Sequence, residues 1–239
     1  MSLWVCLPTY DERENLEPMV RALAKVIGPD GRILVIDDAS PDGTGELADR
    51  LAEELGFVEV LHRPGKEGLG PAYLAGFRQV LAAGADLVVT IDCDFSHSPA
   101  DVPRLVAAVE SGDDIALGSR YVRGGRTENW SLMRRTISRG GSLYARVLLS
   151  LGVRDPTSGF KCYRREVLER IGLGRISSKG YAFQVETVYR AVRAGFRVVE
   201  VPIAFVEREA GGSKMSGAIV LEAVLKVPAL RLRAALHRL

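Results

Sequence analysis

Short apolar runs alternate with longer amphipathic stretches through the first half of the chain. Strands rich in Val, Ile and Leu are expected at residues 3–7, 32–36, 57–62, 86–91 and 114–118. Helical periodicity falls between them, near 12–27, 43–54, 69–83 and 100–110. Strands this uniformly apolar, separated by helices, predict an α/β fold with a mostly parallel sheet covered on both faces. Ligands of such sheets sit beyond the carboxyl ends of the strands. That rule gathers Pro8-Thr9-Tyr10, Asp37-Asp38 and Asp92-Cys93-Asp94 on one rim, although they are distant in sequence.

After Gly118 the pattern changes. Residues 130–151 read as one long amphipathic helix that carries Arg134, Arg135, Arg139 and Arg146 and no acid. A strand is expected near 159–163, helices at 165–170 and 181–194, and a further strand-like run at 197–206. A Gly-rich loop follows at 209–213, and the tail from 215 to 239 reads as an amphipathic helix interrupted or kinked at Pro228.

Composition narrows the choices. With 239 residues, 47% hydrophobic and 26% charged, the chain can bury a sizeable core, as one α/β domain with an appendage or as two small domains. A formal charge of +2 gives no reason to expect nucleic acid, so any basic function must be local. Cys6, Cys93 and Cys162 are scattered and odd in number, which fits a reducing, cytosolic compartment better than a disulfide framework. The first residues read as a strand rather than a signal peptide. No interval free of Asp, Glu, Lys and Arg exceeds ten residues, so no bilayer-spanning segment is expected.

The candidate chemistry centres on Asp92 and Asp94. Two carboxylates in this spacing at a strand end can share one hard cation, Mg²⁺ or Mn²⁺, which takes oxygen ligands and commonly adds phosphate oxygens. Such a cation could grip the diphosphate of a nucleotide-activated donor; an acidic pair in a surface turn is the plainer alternative. Pro8 to Glu12 reads either as a helix start capped by Thr9 or Asp11, or as a nucleoside-binding loop in which Tyr10 offers a flat face. Asp37 and Asp38 are costly side by side without donors, and ribose hydroxyls or a purine edge would supply them; a solvated turn is the alternative. Arg134 and Ser138 share one helix face, and guanidinium forks match phosphate geometry. His97, in a Ser-His-Ser-Pro turn, is given a structural or outer role, and Asp155 one of orienting neighbours.

Seven motifs occur in order: Pro8-Thr9-Tyr10 with Glu12, Glu14 and Asn15; Val35-Ile36-Asp37-Asp38 with Ser40-Pro41-Asp42-Gly43-Thr44; Asp92 and Asp94 with Ser96-His97 and Pro99; Gly118-Ser119-Arg120-Tyr121; Asp155-Pro156-Thr157-Ser158-Gly159-Phe160; Ser178-Lys179-Gly180-Tyr181 with Phe183-Gln184; and Val206 and Arg208 with Gly211 and Ser213-Lys214-Met215. Together they resemble a family 2 glycosyltransferase of the polyprenyl-phosphate (dolichyl-phosphate) mannose synthase type, over nearly the whole chain. Most single motifs are widely shared among family 2 transferases; the Ser-Lys-Gly-Tyr segment and the late Arg/Lys motif are much narrower.

The resemblance implies a GT-A fold, inverting transfer from a GDP-mannose donor, a divalent metal (Mg²⁺ or Mn²⁺) and a polyprenyl or dolichyl phosphate acceptor. It implies a catalytic domain over 1–214 followed by the amphipathic tail over 215–239. By motif position, Pro8, Tyr10, Glu12, Asp37 and Asp38 would hold the nucleoside, and Asp92 and Asp94 the metal and donor phosphates. Ser96 stands where the related pattern has Gln, so a shorter ligand or an intervening water is expected there. Arg120, Arg134 and Ser138 would form the acceptor phosphate pocket, and Arg208 and Lys214 would close over the donor diphosphate.

Because the acceptor is a lipid, the region 130–135 and the tail from 226, both mixing bulky apolar residues with Arg, are expected on the cytoplasmic surface of a membrane, with or without an anchoring partner subunit. Packing on the core or in a dimer is the competing use of the same helices. The rival functions are a polyprenyl-phosphate glucosyltransferase using UDP-glucose and a non-catalytic nucleotide-sugar-binding module. A nucleotidyltransferase or a dehydrogenase is disfavoured, since no Gly-rich phosphate loop follows the first strand.

Overall fold

The computed structural model describes residues 1–207 and 217–236, the second span with side chains from residue 224 onward. Among these residues a seven-stranded sheet runs in the order β3-β2-β1-β4-β7-β5-β8. Its strands are β1 (Leu3–Thr9), β2 (Arg32–Asp37), β3 (Val58–His62), β4 (Leu87–Thr90), β5 (Ile115–Ser119), β7 (Lys161–Arg164) and β8 (Val198–Pro202). All pairings are parallel except those of β7, which runs against both β4 and β5. A two-stranded parallel ribbon joins β6 (Arg126–Glu128) to β9 (Ala204–Val206).

Alternation along the strands builds two cores. Val5 and Leu7 of β1 and Ile33 and Val35 of β2 face one side, under α1 (Arg13–Ala24), α2 (Thr44–Leu55) and α4 (Val102–Glu110). Trp4, Cys6, Leu34 and Ile36 face the other side. There they meet α3 (Leu69–Ala82), α6 (Arg165–Arg170) and α7 (Gly180–Arg193). Strands buried on both faces are what crossover helices produce, which is why they read as continuous apolar runs. Gly76 lets α3 lie close: a Cβ there would stand 2.4 Å from Ile36 Cδ1.

A third cluster joins α5 (Leu132–Leu149) and α7 to α8 (Gly217–Ala235) through Ala145, Leu149, Val188, Val227 and Leu230. The tail helix is tied further by Tyr144 Oη donating to the Val224 carbonyl at 2.9 Å and by Arg231 Nη1 donating to Ser150 Oγ at 2.9 Å. Two expectations change. The run 197–206 divides at Ile203 between two sheets, and of the interruption or kink expected at Pro228 the interruption is absent, α8 continuing through it. A proline forfeits one intrahelical bond, and packing of Val227 and Leu230 on the core holds the helix across it.

Candidate active site

The rim of the parallel sheet carries the site. Strand order reverses between β2-β1 and β4, so the loops after these strands open a crevice at their carboxyl ends. Each loop turns through one non-glycine residue with positive φ: Asp11 at 54°, Ala39 at 55° and Phe95 at 56°. Such conformations are held against their intrinsic cost by surrounding contacts, and they concentrate at functional loops.

The first two loops are stitched together. Glu12 N donates to Thr44 Oγ1 at 3.1 Å, and Asn15 Nδ2 donates to Glu12 Oε2 at 2.8 Å. The capping position of α1 is Glu12, one or more residues past the Thr9 or Asp11 expected. Asp37 and Asp38 part company. Asp37 accepts from Ser40 N at 3.1 Å, Ser40 Oγ at 2.6 Å and Thr9 Oγ1 at 3.3 Å, so it closes its own loop. Asp38 pairs with the buried Arg63, whose other end reaches Glu67 at 2.5 Å. Burial pushes the Asp38 carboxyl up, against the pull of that guanidinium. The donors that this acidic pair needs are thus partly the chain's own. Arg63 and Lys66, whose ammonium sits 3.6 Å from the Tyr10 ring centroid, were not singled out from the sequence. The strand-end rule would have found both, since they come just after β3. Pro8 lies within β1, beside Ile36 of β2.

Asp92, Cys93 and Asp94 follow β4, with Asp94 and Ser96 buried and Ser96 N donating to Asp94 Oδ1 at 3.0 Å. No group of three His, Cys, Asp or Glu that could cage an ion occurs among the described residues. The candidate donor set is the two carboxylates of Asp92 and Asp94, with Ser96 beside them. That set fits Mg²⁺ or Mn²⁺, which bind through few protein carboxylates and keep other oxygen ligands. His97 is enclosed between Phe160 and Phe205, at centroid distances of 5.1 and 4.8 Å. Burial, and then Arg120, push its imidazole down to about 3, so it stays neutral.

Across the rim lies a basic and aromatic wall. Arg120 is buried and turned inward: Nε donates to Asp155 Oδ2 at 2.8 Å and Nη2 to Asp155 Oδ1 at 2.7 Å. Its guanidinium also packs on Tyr121, Trp130 and Phe205. Tyr121 Oη donates to Ser138 Oγ at 2.7 Å, which connects Arg120 to α5. Arg134 lies over Trp130 at 4.4 Å and pairs with Glu207. Arg120, Arg134 and Ser138 therefore share one wall, although each already has a protein partner. Arg208 and Lys214 lie outside the described residues. Beneath Asp92 the ammonium of Lys161 is fully buried; burial pushes it down to about 7, while Asp155 and Asp92 hold it up.

Residues 4–172 match glycosyl transferase family 2, and the chain belongs to that family. It is similar to the polyprenol monophosphomannose synthase of Mycolicibacterium smegmatis, 50% identical over 98% of this chain and 88% of that one. It is also 50% identical to the undecaprenyl-phosphate mannosyltransferase of Micrococcus luteus, over 95% of this chain and 93% of the other. Among solved structures, glucosyl-3-phosphoglycerate synthase of Mycobacterium tuberculosis, with Mn²⁺, UDP and glucosyl-3-phosphoglycerate, aligns with a TM-score of 0.70 at 22% identity, over 95% of this chain and 80% of that one. The mannosyltransferase of Pyrobaculum calidifontis, in complex with GDP-Man and Mn²⁺, aligns at 0.63 and 16% identity, over 99% of this chain and 64% of its own. The fold is GT-A, as the resemblance implied.

Proposed function

We propose that this protein transfers mannose from GDP-mannose to a polyprenyl phosphate, with inversion at the anomeric carbon. The observation that carries the reading is an Asp92/Asp94 pair at the sheet's switch point, linked to the acid-free arginine helix α5 through successive contacts of His97, Phe205, Trp130 and Arg134. Similarity to two polyprenyl-phosphate mannosyltransferases supports the choice of sugar and acceptor. An acceptor phosphate oxygen attacks C1, the C1–O bond to the diphosphate breaks, and GDP leaves with the electron pair. No general base is needed, because a phosphate monoester has its second pKa near ~6 and is largely ionised at neutral pH.

Catalysis then rests on bringing two anions together and offsetting their charge. Tyr10, Glu12, Asp38 and Pro8 hold the nucleoside, with Asp37 shaping their loop. Asp92 and Asp94, with Ser96 beside them, hold Mg²⁺ or Mn²⁺, which supplies Lewis-acid stabilisation of the leaving diphosphate. Arg134 and Ser138 orient the acceptor phosphate, Arg120 forms the buried floor of that pocket, and Arg208 and Lys214 serve the diphosphate. The rival UDP-glucose reading is separated by a thermal-shift comparison with Mn²⁺ present. GDP is expected to stabilise the protein and UDP much less. A ligand at ~100 times its dissociation constant adds about 2.7 kcal/mol. Equal stabilisation by both would remove the guanine assignment.

No described helix is long and apolar enough to cross a membrane. The lipid acceptor is met instead at a surface. On α5, Leu132 and Met133 are 78% and 73% exposed, and Leu143 and Val147 are also exposed; on the neighbouring α8 so are Leu225 and Leu232, and Leu236 just after it. Arginines interleave with them on both helices, the composition of an interfacial helix. Each helix keeps another side packed in the core, so the two readings of these segments combine. The double variant Leu132→Asp/Met133→Asp is expected to lose flotation with anionic liposomes while keeping transfer to a short-chain, water-soluble acceptor. Unchanged flotation would refute docking through α5.

A further inference from the structure

Gln184, in the second turn of α7, is 2% exposed, and the two ends of its amide meet different surroundings. Lys161 Nζ, at the start of β7, donates to Gln184 Oε1 and, at 3.4 Å, to the Gln184 carbonyl oxygen. In its protonated form Lys161 can only donate, and that form holds the oxygen end of the amide towards itself. Nε2 must point the other way, where it has no hydrogen-bond partner among the described residues. A buried amide donor left unmet carries its desolvation penalty uncompensated, which makes it a candidate for a ligand contact.

Gly159 defines what Nε2 faces. A Cβ built on Gly159 would stand 3.4 Å from Nε2 and 3.8 Å from Asp92 Oδ2, the nearest groups apart from its chain neighbours. The missing side chain leaves a notch bordered by an amide donor and a carboxylate. A hydroxyl can accept from Nε2 while its own proton is directed at the carboxylate. An ionised phosphate oxygen can accept from Nε2 but cannot donate to Asp92, which it would meet only through the bound cation.

We infer that the Gly159 notch is a sugar-hydroxyl subsite, in which Gln184 Nε2 donates to a hydroxyl of the donor sugar and Lys161 is the positioning residue that orients the amide. The inference rests on the donor reading above, since Asp92 brings the same bound molecule to the notch. It gives the enzyme a contact that reads the sugar separately from the nucleotide.

The test uses the full chain with Mn²⁺, titrated calorimetrically with GDP and with GDP-mannose. Gln184→Glu keeps the volume and the Lys161 contact but replaces the amide donor with an acceptor oxygen. Gly159→Ala places a methyl in the notch at ordinary contact distance and leaves Gln184 intact. Both variants are expected to weaken GDP-mannose binding about tenfold or more while GDP affinity stays within about twofold. The KM for GDP-mannose should rise and that for polyprenyl phosphate should hold. Lys161→Met, which frees the amide to turn, should lose part of the same discrimination. Two outcomes overturn the subsite: GDP and GDP-mannose weakening equally in both variants, or neither weakening. A change confined to the KM of the lipid phosphate overturns the sugar assignment. Failure of the unaltered protein to bind GDP-mannose at all would instead overturn the donor reading beneath it.

Discussion

Removal of divalent cations by chelation, or Asp94→Ala, is expected to lower mannosyl transfer at least about a thousandfold, roughly 4 kcal/mol of transition-state stabilisation. The size comes from the charges around the site. On the proposed mechanism a diphosphate leaves as an anion while a second anion attacks beside it, and the arginines described along the rim are already matched by acids. Arg120 is held by Asp155, Arg134 by Glu207 and Arg63 by Asp38 and Glu67. Asp92 and Asp94 add negative charge to the same place, and on the proposed mechanism a bound cation would offset it as the diphosphate leaves. Radiolabelled transfer measured after chelation, and again after adding back Mg²⁺ or Mn²⁺, checks the expectation. GDP-mannose affinity should fall in parallel with the rate. A full rate in excess chelator would refute the scheme.

The strand-end loops were legible because their signals are local. Near-continuous Val/Ile/Leu runs mark strands buried on both faces, and one topological rule places the loops after β1, β2 and β4 on a common rim. The ribbon of β6 and β9 was not legible, since each strand is three residues long and lacks an alternating pattern. Nor could sequence show that β7 is inserted antiparallel between β4 and β5, because register and direction depend on tertiary pairing. The same limit applies to the site. Arg120 could be assigned to an acceptor pocket through the resemblance, but its inward turn depends on Asp155, 35 residues away. Lys161 reads as an ordinary polar residue in a strand and Gln184 only as the end of a motif, and packing alone shows that they are buried against each other. The separate duties of Asp37 and Asp38 were hidden because adjacent residues at a strand end point to opposite sides.

Asp155→Ala is expected to destabilise the fold by about 3–5 kcal/mol, the usual cost of stripping one partner from a buried ion pair. In a protein of this size that corresponds to a melting temperature lower by roughly 6–20 °C. Asp155 is fully buried and accepts from Arg120 N at 3.0 Å as well as from both guanidinium edges, so its loss strands a buried cation. Arg120 also packs on Tyr121 and Trp130, and Tyr121 holds Ser138, so the acceptor wall should loosen with it. Asp155→Asn, which keeps hydrogen bonding but not charge, should fall between the two proteins. The pH dependence has a definite sign. Burial alone would push the Asp155 carboxyl up, but Arg120 outweighs it and holds the carboxyl below its ordinary value. Its contribution is therefore complete above the unfolded value of about 3.9 and is lost as pH falls through the lower folded value. Denaturant unfolding of wild type and Asp155→Asn should differ most at neutral pH and converge in acid. If Asp155→Ala melts with the wild type, the pair is not what fixes Arg120, and the acceptor wall must be held from α5 alone.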